Sequence, residues 1–177
     1  MSGKKTTSFS QLDLAQLARK HDEKNVAAQE FDMRIDANGT WFHQGGEIKR
    51  LPLVKLFASI LTKLDDGKYW LITPAERGQI EVEDAPFVAT LIEWSGEGKS
   101  QQIDIITSLG DRVTLGSNHL VRVIYDDDGT PRPYVNIRGG LDALLARTVY
   151  YEMAERAIEG EDGRFGVYSG GVFVPLD

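Results

Sequence analysis

The stretch from Thr73 to Phe87 holds the residues of this sequence that are best suited to chemistry. Glu81 and Glu83 alternate with apolar residues, so both carboxylates lie on one face of a predicted strand. Carboxylates that line a cleft accept hydrogen bonds from a ligand or act as acid and base. A solvated strand face is the alternative interpretation. The candidate binding residues of this stretch are Thr73, Glu76, Glu83 and Asp84.

Three arginines stand where a guanidinium is able to hold an anionic group. Arg147 falls on the apolar side of a helix predicted over Leu141–Glu159, where a charge has to pair, stack on a ring or extend to solvent. Arg138 lies before a glycine pair at the predicted start of this helix, where free N–H groups bind phosphate or carboxylate. Arg50 has the matching place before the first helix. A structural ion pair of Arg147 and capping by Asp142 are the alternatives.

Several chemistries are excluded or disfavoured by the residues present. The sequence contains no Cys, so disulfides, thiolate catalysis and Cys-based metal sites are impossible. Its three histidines, His21, His43 and His119, lack the spacing of metal ligands. Neither a phosphate-binding glycine loop nor a nucleophile elbow occurs. We therefore predict no metal, no cofactor and no catalytic residue, and we interpret the protein as a binding module rather than an enzyme.

The composition predicts a folded, acidic protein. The chain has 177 residues, of which 41% are hydrophobic and 27% charged, and its formal net charge is -7. This charge repels a phosphate backbone and argues against nucleic acid as a partner, whereas a mononucleotide needs only one or two arginines. The segment Met1–His21 has no apolar run, and nothing reaches the length of a membrane span. We therefore expect a cytoplasmic protein without membrane contact.

Strands dominate the predicted secondary structure, and two helices interrupt them. Alternating apolar and polar residues begin at Phe31, whereas Leu51–Leu64 and Leu141–Glu159 carry apolar residues at helical spacing. This order predicts an α+β fold with mostly antiparallel, bent sheets and one main helix in each half. The predicted regions are residues 1–30 with a polar tail (Met1–Ser8) and a short helix capped by Ser10, an N-terminal half over 31–95 and a C-terminal half over 96–177.

The two halves repeat one order of features. Each has a turn with glycine before threonine, an aromatic strand, a glycine pair, a helix and a second acidic turn with glycine. This order predicts a duplicated strand–helix–strand unit with Gly67 and Gly163 at equivalent turns. Chance recurrence of common turns is the alternative. Two such units would leave a cleft between them, and ligand sites favour junctions of this kind.

Several strings resemble the bacterial domain-of-unknown-function family 1285, from about Phe31 to the C-terminus. The most specific are Val-Glu-Asp-Ala-Pro-Phe at 82–87 and Thr-Pro-Ala-Glu at 73–76. The resemblance implies a duplicated core and a C-terminal half similar to the pleckstrin-homology fold. It also implies a site at the interface of the halves, for a nucleotide-like ligand in a signalling role. It assigns no catalytic residues.

The predicted function is binding of a small anionic, nucleotide-like molecule between the two halves, in bacterial signal transduction. Arginines would hold its anionic part, and Trp41 or Tyr150 would stack on its ring. The alternatives are an enzyme that uses Glu76, Glu83 or Asp84 as acid and base, and a protein-interaction adaptor. The sequence identifies no protein partner. The predicted binding residues are Trp41, Arg50, Thr73, Glu76, Glu83, Asp84, Arg138, Arg147 and Tyr150.

Overall fold

A computed structural model describes residues 11–24 and 26–177 and confirms the predicted α+β class. Within these residues, three α-helices accompany two six-stranded sheets and one three-stranded sheet. The chain divides into two units between Asp84 and Ala85. The predicted tail Met1–Ser8 and the predicted capping residue Ser10 lie outside the described residues.

The first unit consists of two antiparallel meanders that meet at a parallel strand pair. Helix α1 (Gln11–Glu23) comes first, and helix α2 (Leu51–Ser59) connects the third strand to the fourth. The strands are β1 (Ala28–Ile35), β2 (Trp41–His43), β3 (Gly46–Glu47), β4 (Leu61–Lys63), β5 (Tyr69–Ile72) and β6 (Arg77–Val82). Their order is β3-β2-β1-β6-β5-β4, and of its strand pairs only β1–β6 is parallel.

The second unit repeats this sheet topology. Its strands are β7 (Phe87–Ser95), β8 (Gln102–Thr107), β9 (Arg112–Thr114), β10 (Val121–Tyr125), β11 (Pro131–Arg138) and β12 (Leu141–Leu145), with a 3₁₀ turn at Gly98–Ser100. The order β10-β11-β12-β7-β8-β9 again joins two antiparallel meanders through one parallel pair, β12–β7. Each six-stranded sheet thus pairs its first strand in the chain with its last, so the predicted duplication is confirmed for the sheets. The predicted strand–helix–strand unit is wrong, because α2 lies between the third and fourth strands of the first sheet, whereas the helix of the second unit follows its sheet.

A helix and a small sheet complete the second unit. Helix α3 (Arg147–Glu155) precedes β13 (Ile158–Glu159), β14 (Phe165–Ser169) and β15 (Val172–Pro175). The predicted boundary between halves, after Ser95, differs from the observed one because β7 pairs with β8 and β12 of the second unit. The predicted likeness of this half to the pleckstrin-homology fold stays a prediction.

The predicted alignment of the repeat is wrong in its register. Gly67 lies in the β4–β5 turn, and its topological counterpart is Gly129 in the β10–β11 turn, whereas Gly163 lies between β13 and β14. All three glycines have φ near +80° and donate to the carbonyl three residues earlier, at 2.9, 2.8 and 3.0 Å. The same turn, with a left-handed glycine, thus closes three different hairpins of this fold. The turn pattern therefore identifies the turn but not its place in the repeat.

The long helix predicted over Leu141–Glu159 is a strand followed by a shorter helix. Leu141–Leu145 forms β12, and the glycine pair before it, with φ of 51° and 77°, closes a hairpin with β11. A short segment in which four of five residues are apolar fits a strand and a helix equally, and pairing with β7 and β11 decides for the strand. Helix α3 begins only at Arg147, so Arg147 is exposed on its first turn and not buried on an apolar face.

Helix α2 is also shorter than the predicted Leu51–Leu64. Leu61–Lys63 pairs with β5 as strand β4, and its first two side chains are buried. Val54 and Ala58 form the buried side of α2. Among the described residues, the longest α-helix is α1 with 13 residues, and none has the length and hydropathy of a bilayer span.

Candidate functional site

The central strand pair of the first unit separates over three residues of β1. Glu30 faces Gln79 and Arg34 faces Glu81, so the three β1 residues between them stand opposite Ile80 alone. This bulge opens a cleft of about 440 Å³, here called the β1–β6 cleft. Bulges bend a strand and redirect its side chains, and they are frequent beside functional sites.

The equivalent strand pair of the second unit has no such gap. There β7 and β12 stay in register from Phe87 opposite Ala143 to Ala89 opposite Leu145. The two units share one topology, so the β1–β6 cleft is a local departure in the first unit and not a consequence of the topology.

Apolar side chains form one wall of the β1–β6 cleft. Phe31, Phe42 and Ile80 line it. The Phe31 ring packs against β6 at Gly78, where an added Cβ would lie 2.3 Å from a ring carbon. Glycine at this position therefore makes room for the ring. A concave apolar surface with a few polar groups is typical of small-molecule sites.

Negative charge predominates at the polar side of the cleft. The lining carboxylates are Glu30, Asp32 and Glu81. Arg34 is the one cation among the described lining residues, and it is engaged: it pairs with Glu83, and its guanidinium carbon lies 4.3 Å from the Phe42 ring centre. The net charge of the lining is therefore negative, which favours a cationic group over an anion.

Glu83 connects β6 to the β1–β2 hairpin. Besides its ion pair with Arg34, it accepts a hydrogen bond at Oε2 from the N–H of Ala37 at 3.1 Å, and its own N–H donates to the carbonyl of Ile35. These bonds occupy both carboxylate oxygens. Asp84 follows at the boundary of the unit and is half-buried.

Thr73 and Glu76 come together in the turn between β5 and β6. The hydroxyl of Thr73 accepts from the N–H of Glu76 at 3.1 Å, and the N–H of Thr73 donates to the carbonyl of Glu76 at 2.9 Å. The Glu76 side chain is exposed. A turn-forming threonine of this kind is common, and its bonds account for Thr73 without a ligand.

Trp41 and Arg50 have different surroundings from those predicted. Trp41 is 1% exposed and stacks on Phe57, with ring centres 6.1 Å apart, so its ring belongs to the core and is not accessible to a ligand. The prediction that Trp41 stacks on a ligand is therefore wrong. Arg50 is exposed at the N-cap of α2, where no side chain caps the helix.

The predicted residues of the second unit fall into two places. Arg138 ends β11, pairs with Asp111 and lies 5.0 Å from the Phe87 ring centre. Arg138 does not precede a helix, because the glycines after it form a hairpin. Arg147 and Tyr150 share the first turn of α3.

Tyr150 is fixed by a hydrogen bond to the end of the chain. Its hydroxyl donates to the carbonyl of Leu176 at 2.7 Å, and burial, followed by nearby Tyr125 and Asp177, raises the pKa of the phenol. Arg147 is exposed. A backbone hydrogen bond from Thr130 lowers the pKa of Asp128, and the charge of Arg147 adds a smaller effect in the same direction.

A second cleft of about 440 Å³ lies beside helix α1 and strands β4 to β6, here called the α1 cleft. Trp70 and Arg77 line it, and the guanidinium carbon of Arg77 lies 5.8 Å from a Trp70 ring centre. Trp70 Nε1 and Arg77 Nε are buried and have no hydrogen-bond partner within the described residues. Buried N–H groups of this kind usually have an acceptor.

The described part of the chain holds no side-chain grouping suited to a metal ion. Within residues 11–24 and 26–177, no set of three or more His, Asp or Glu side chains is placed to hold one. Sequence reasoning missed Phe31, Arg34 and Phe42, which line the β1–β6 cleft. The alternation of apolar and polar residues from Phe31 onwards indicates a strand. Nothing in this alternation indicates the bulge in β1.

Comparison with known proteins gives one family for both units. Residues 24–85 match the N-terminal domain and residues 86–176 the C-terminal domain of the DUF1285 proteins of unknown function. A crystal structure of a DUF1285 family protein from Silicibacter pomeroyi DSS-3 is 42% identical, with a TM-score of 0.79 over 86% of this chain and 83% of that chain. One from Shewanella baltica OS155 is 31% identical, with a TM-score of 0.56 over 71% and 91%. The curated proteins give no match.

Proposed function

This chain belongs to the DUF1285 family, and from its geometry we propose that it is a small-molecule-binding protein whose ligand occupies the β1–β6 cleft. The observation that carries the proposal is the gap in the central strand pair of the first unit, which the second unit lacks despite its identical topology. A binding role accounts for the separation of two strands that the fold otherwise keeps paired.

The lining of the cleft selects the class of ligand. Phe31 and Phe42 offer apolar contact to a ring or an aliphatic chain, while the carboxylates accept hydrogen bonds from a positively charged group. The ligand class that fits is therefore an organic amine with an apolar body. This class differs from the anionic, nucleotide-like ligand that the sequence favoured, because the lining arginine is already paired with Glu83.

The proposal is tested by a thermal-shift screen of organic amines against matched acids and nucleotides. A ligand at about 100 times its dissociation constant adds about 2.7 kcal/mol of stability, which raises the unfolding temperature by several degrees. We expect amines to give this rise. The double variant Asp32→Asn, Glu81→Gln removes two lining carboxylates and should abolish the rise, whereas Glu47→Gln, an exposed carboxylate on β3 outside the lining, should keep it.

Two results contradict the proposal. The first is that no amine stabilises the protein, and the second is that the double variant responds to the amine as the wild type does. Unfolding of each variant without ligand serves as the reference, because loss of a lining charge also changes the stability of the free protein.

The α1 cleft is a second candidate site, and it would take an anionic ligand. The specific observation is that Trp70 Nε1 and Arg77 Nε are buried donors without an acceptor among the described residues. Arg77 Nη1 already pairs with Asp22 at 2.5 Å, so a phosphate or carboxylate oxygen would have to bind beside this ion pair to satisfy the two remaining donors. If so, inorganic phosphate or a nucleotide stabilises the wild type, and Trp70→Phe loses the effect. Trp94→Phe is the matched control, since Trp94 Nε1 already donates to Glu152 at 2.7 Å.

We extend the proposal to the signalling role that the resemblance implies and to the cytoplasmic location expected from the sequence, with no catalytic step. Both oxygens of Glu83 are used in structural bonds, which leaves this residue a poor acid or base. Chemical analysis of the ligand after incubation separates this proposal from the enzyme alternative. A ligand that is recovered unchanged supports a binding module, and one that is converted supports an enzyme.

A further inference from the structure

Strand β10 forms an outer edge of the second unit's sheet. Asp126, the residue after β10, bonds to the β10–β11 turn through both its N–H and its carbonyl, so its backbone polar groups point towards β11. Because this direction alternates along an antiparallel strand, every second residue of β10 presents its N–H and C=O outwards. These residues are Val121, Val123 and Tyr125.

The prolines of β11 support this assignment. Pro131 faces Tyr125, and Pro133 faces Val123. Proline has no N–H, so it fits only where its strand does not donate to the neighbour. Tyr125 and Val123 therefore use their own backbone groups on the side away from β11. No hydrogen bond from those groups to any described residue is present.

The other sheet edges are blocked in ways that β10 is not. Natural proteins protect edges with very short strands, lysine or proline. Strands β3 and β13 have two residues each, β9 has three, β4 has three and includes Lys63, and β15 ends in Pro175. Strand β10 has five residues and neither lysine nor proline. It is thus the longest edge strand that the described residues leave open to pairing.

Exposed apolar side chains accompany this open edge. Leu120, Ile124 and Tyr125 are 46%, 47% and 55% exposed. A row of unpaired backbone groups beside exposed apolar side chains is a template for another strand. Arg122 on β10 and Asp126, just after it, indicate which strand would pair with this edge.

We propose that β10 pairs antiparallel with β10 of a second copy of this chain, around a two-fold axis at Ile124. In this register Ile124 faces the partner's Ile124, and Val123 forms hydrogen bonds with the partner's Tyr125. Arg122 then faces the partner's Asp126. Within its own chain Arg122 pairs with Asp142 at 3.0 Å and Asp126 with Arg132 at 3.8 Å, so the two-fold axis adds two cross-strand pairs of opposite charge to these ion pairs. A register centred on Val123 instead places Arg122 opposite the partner's Ile124 and forms no charge pair.

The self-pairing joins two six-stranded sheets into one continuous sheet. It uses a strand of the second unit, whereas the β1–β6 cleft lies in the first. The proposed dimer is therefore independent of the proposed ligand, and either proposal can fail without the other.

The test is sedimentation velocity of the full chain over a wide concentration range, with and without substitutions at the edge. We expect a reversible dimer. Ile124→Lys places like charges opposite each other at the axis, and Val123→Pro removes an outward N–H from each copy. Each should raise the dimer dissociation constant about tenfold or more. Leu91→Lys is the matched control, because Leu91 is 59% exposed on β7, which is not an edge strand, and it should leave the constant unchanged.

Charge reversal tests the register. Arg122→Asp and Asp126→Arg should each weaken the dimer. The double variant should recover part of the loss, because the cross-strand pairs form again with signs exchanged, although each chain loses its own Arg122–Asp142 and Asp126–Arg132 pairs. Unfolding measurements on each variant confirm that the monomer is folded. A wild type that stays monomeric at every concentration overturns the proposal, as does a dimer that Ile124→Lys leaves intact or that Leu91→Lys weakens equally. Charge variants whose effects simply add overturn the register. Capture of a strand from a different protein by monomeric wild type also overturns the proposal.

Discussion

Replacing Gly78 by alanine tests how the wall of the β1–β6 cleft is built. An added Cβ at Gly78 would lie 2.3 to 2.4 Å from three carbons of the Phe31 ring. The ring has to move by about 1 Å or more to reach ordinary contact distance. Crowding of this kind costs about 1–3 kcal/mol. Gly78 has no positive φ, so alanine also gains about 0.5–1 kcal/mol by restricting the unfolded chain. The expected net loss is about 0–2.5 kcal/mol, so the coupling to the Phe31 ring is the more decisive measurement.

Chemical denaturation of a double-mutant cycle measures this effect. Phe31→Ala alone should destabilise the unit. In that background Gly78→Ala should no longer cost stability, because the atoms that its Cβ meets are gone, and the coupling should reach about 1–3 kcal/mol. Gly46→Ala is the control, since its added Cβ meets only a carbonyl oxygen at 3.6 Å. The reasoning fails if Gly78→Ala has the same effect on stability with and without the Phe31 ring.

Two further predictions concern the second unit. The buried Ser169 hydroxyl donates to the carbonyl of Leu115 at 2.7 Å and accepts from the N–H of Ile103 at 3.1 Å. Ser169→Ala leaves the Leu115 carbonyl and the Ile103 N–H without this partner and should lower the free energy of unfolding by about 2–4 kcal/mol. Ser108→Ala, at an exposed position, should change this free energy little. The pKa of Tyr150 is raised on folding, so its stabilising effect is present below the unfolded pKa near 10 and is lost as the pH rises through the folded value. Wild type should therefore lose stability between neutral and strongly alkaline pH more steeply than Tyr150→Phe, and equal slopes would contradict the assignment.

The turns were the most predictable part of this fold. Gly67, Gly129 and Gly163 all close tight turns, as their acidic neighbours predict, because a left-handed glycine is a local requirement. Their alignment failed for the same reason, since a local requirement says nothing about which strands the turn connects. The helix predicted at Leu141 is wrong because a five-residue segment with four apolar residues fits both periods, and long-range pairing decides between them.

The candidate site was less predictable than the fold. Trp41 looked available for stacking, but burial depends on the whole sheet and not on neighbouring residues. Arg147 looked buried because the helix was extended backwards over β12. The β1–β6 cleft depends on an offset between two strands that are far apart in the sequence, and no pattern within β1 encodes that offset.

The parallel pair at the centre of each sheet has a consequence for the order of folding. Every antiparallel neighbour in these sheets is also a neighbour in the chain, so each meander closes short loops quickly. The parallel pair joins the first and last strands of each six-stranded sheet and has to wait for the longest loop to close. In the first unit the parallel pair β1–β6, which forms last, also contains the bulge. We therefore expect the backbone amide hydrogens of β1 and β6 to exchange with solvent before those of β7 and β12. A ligand that contacts both β1 and β6 would slow the separation of these two strands. Hydrogen exchange would detect this as protection of their backbone amides.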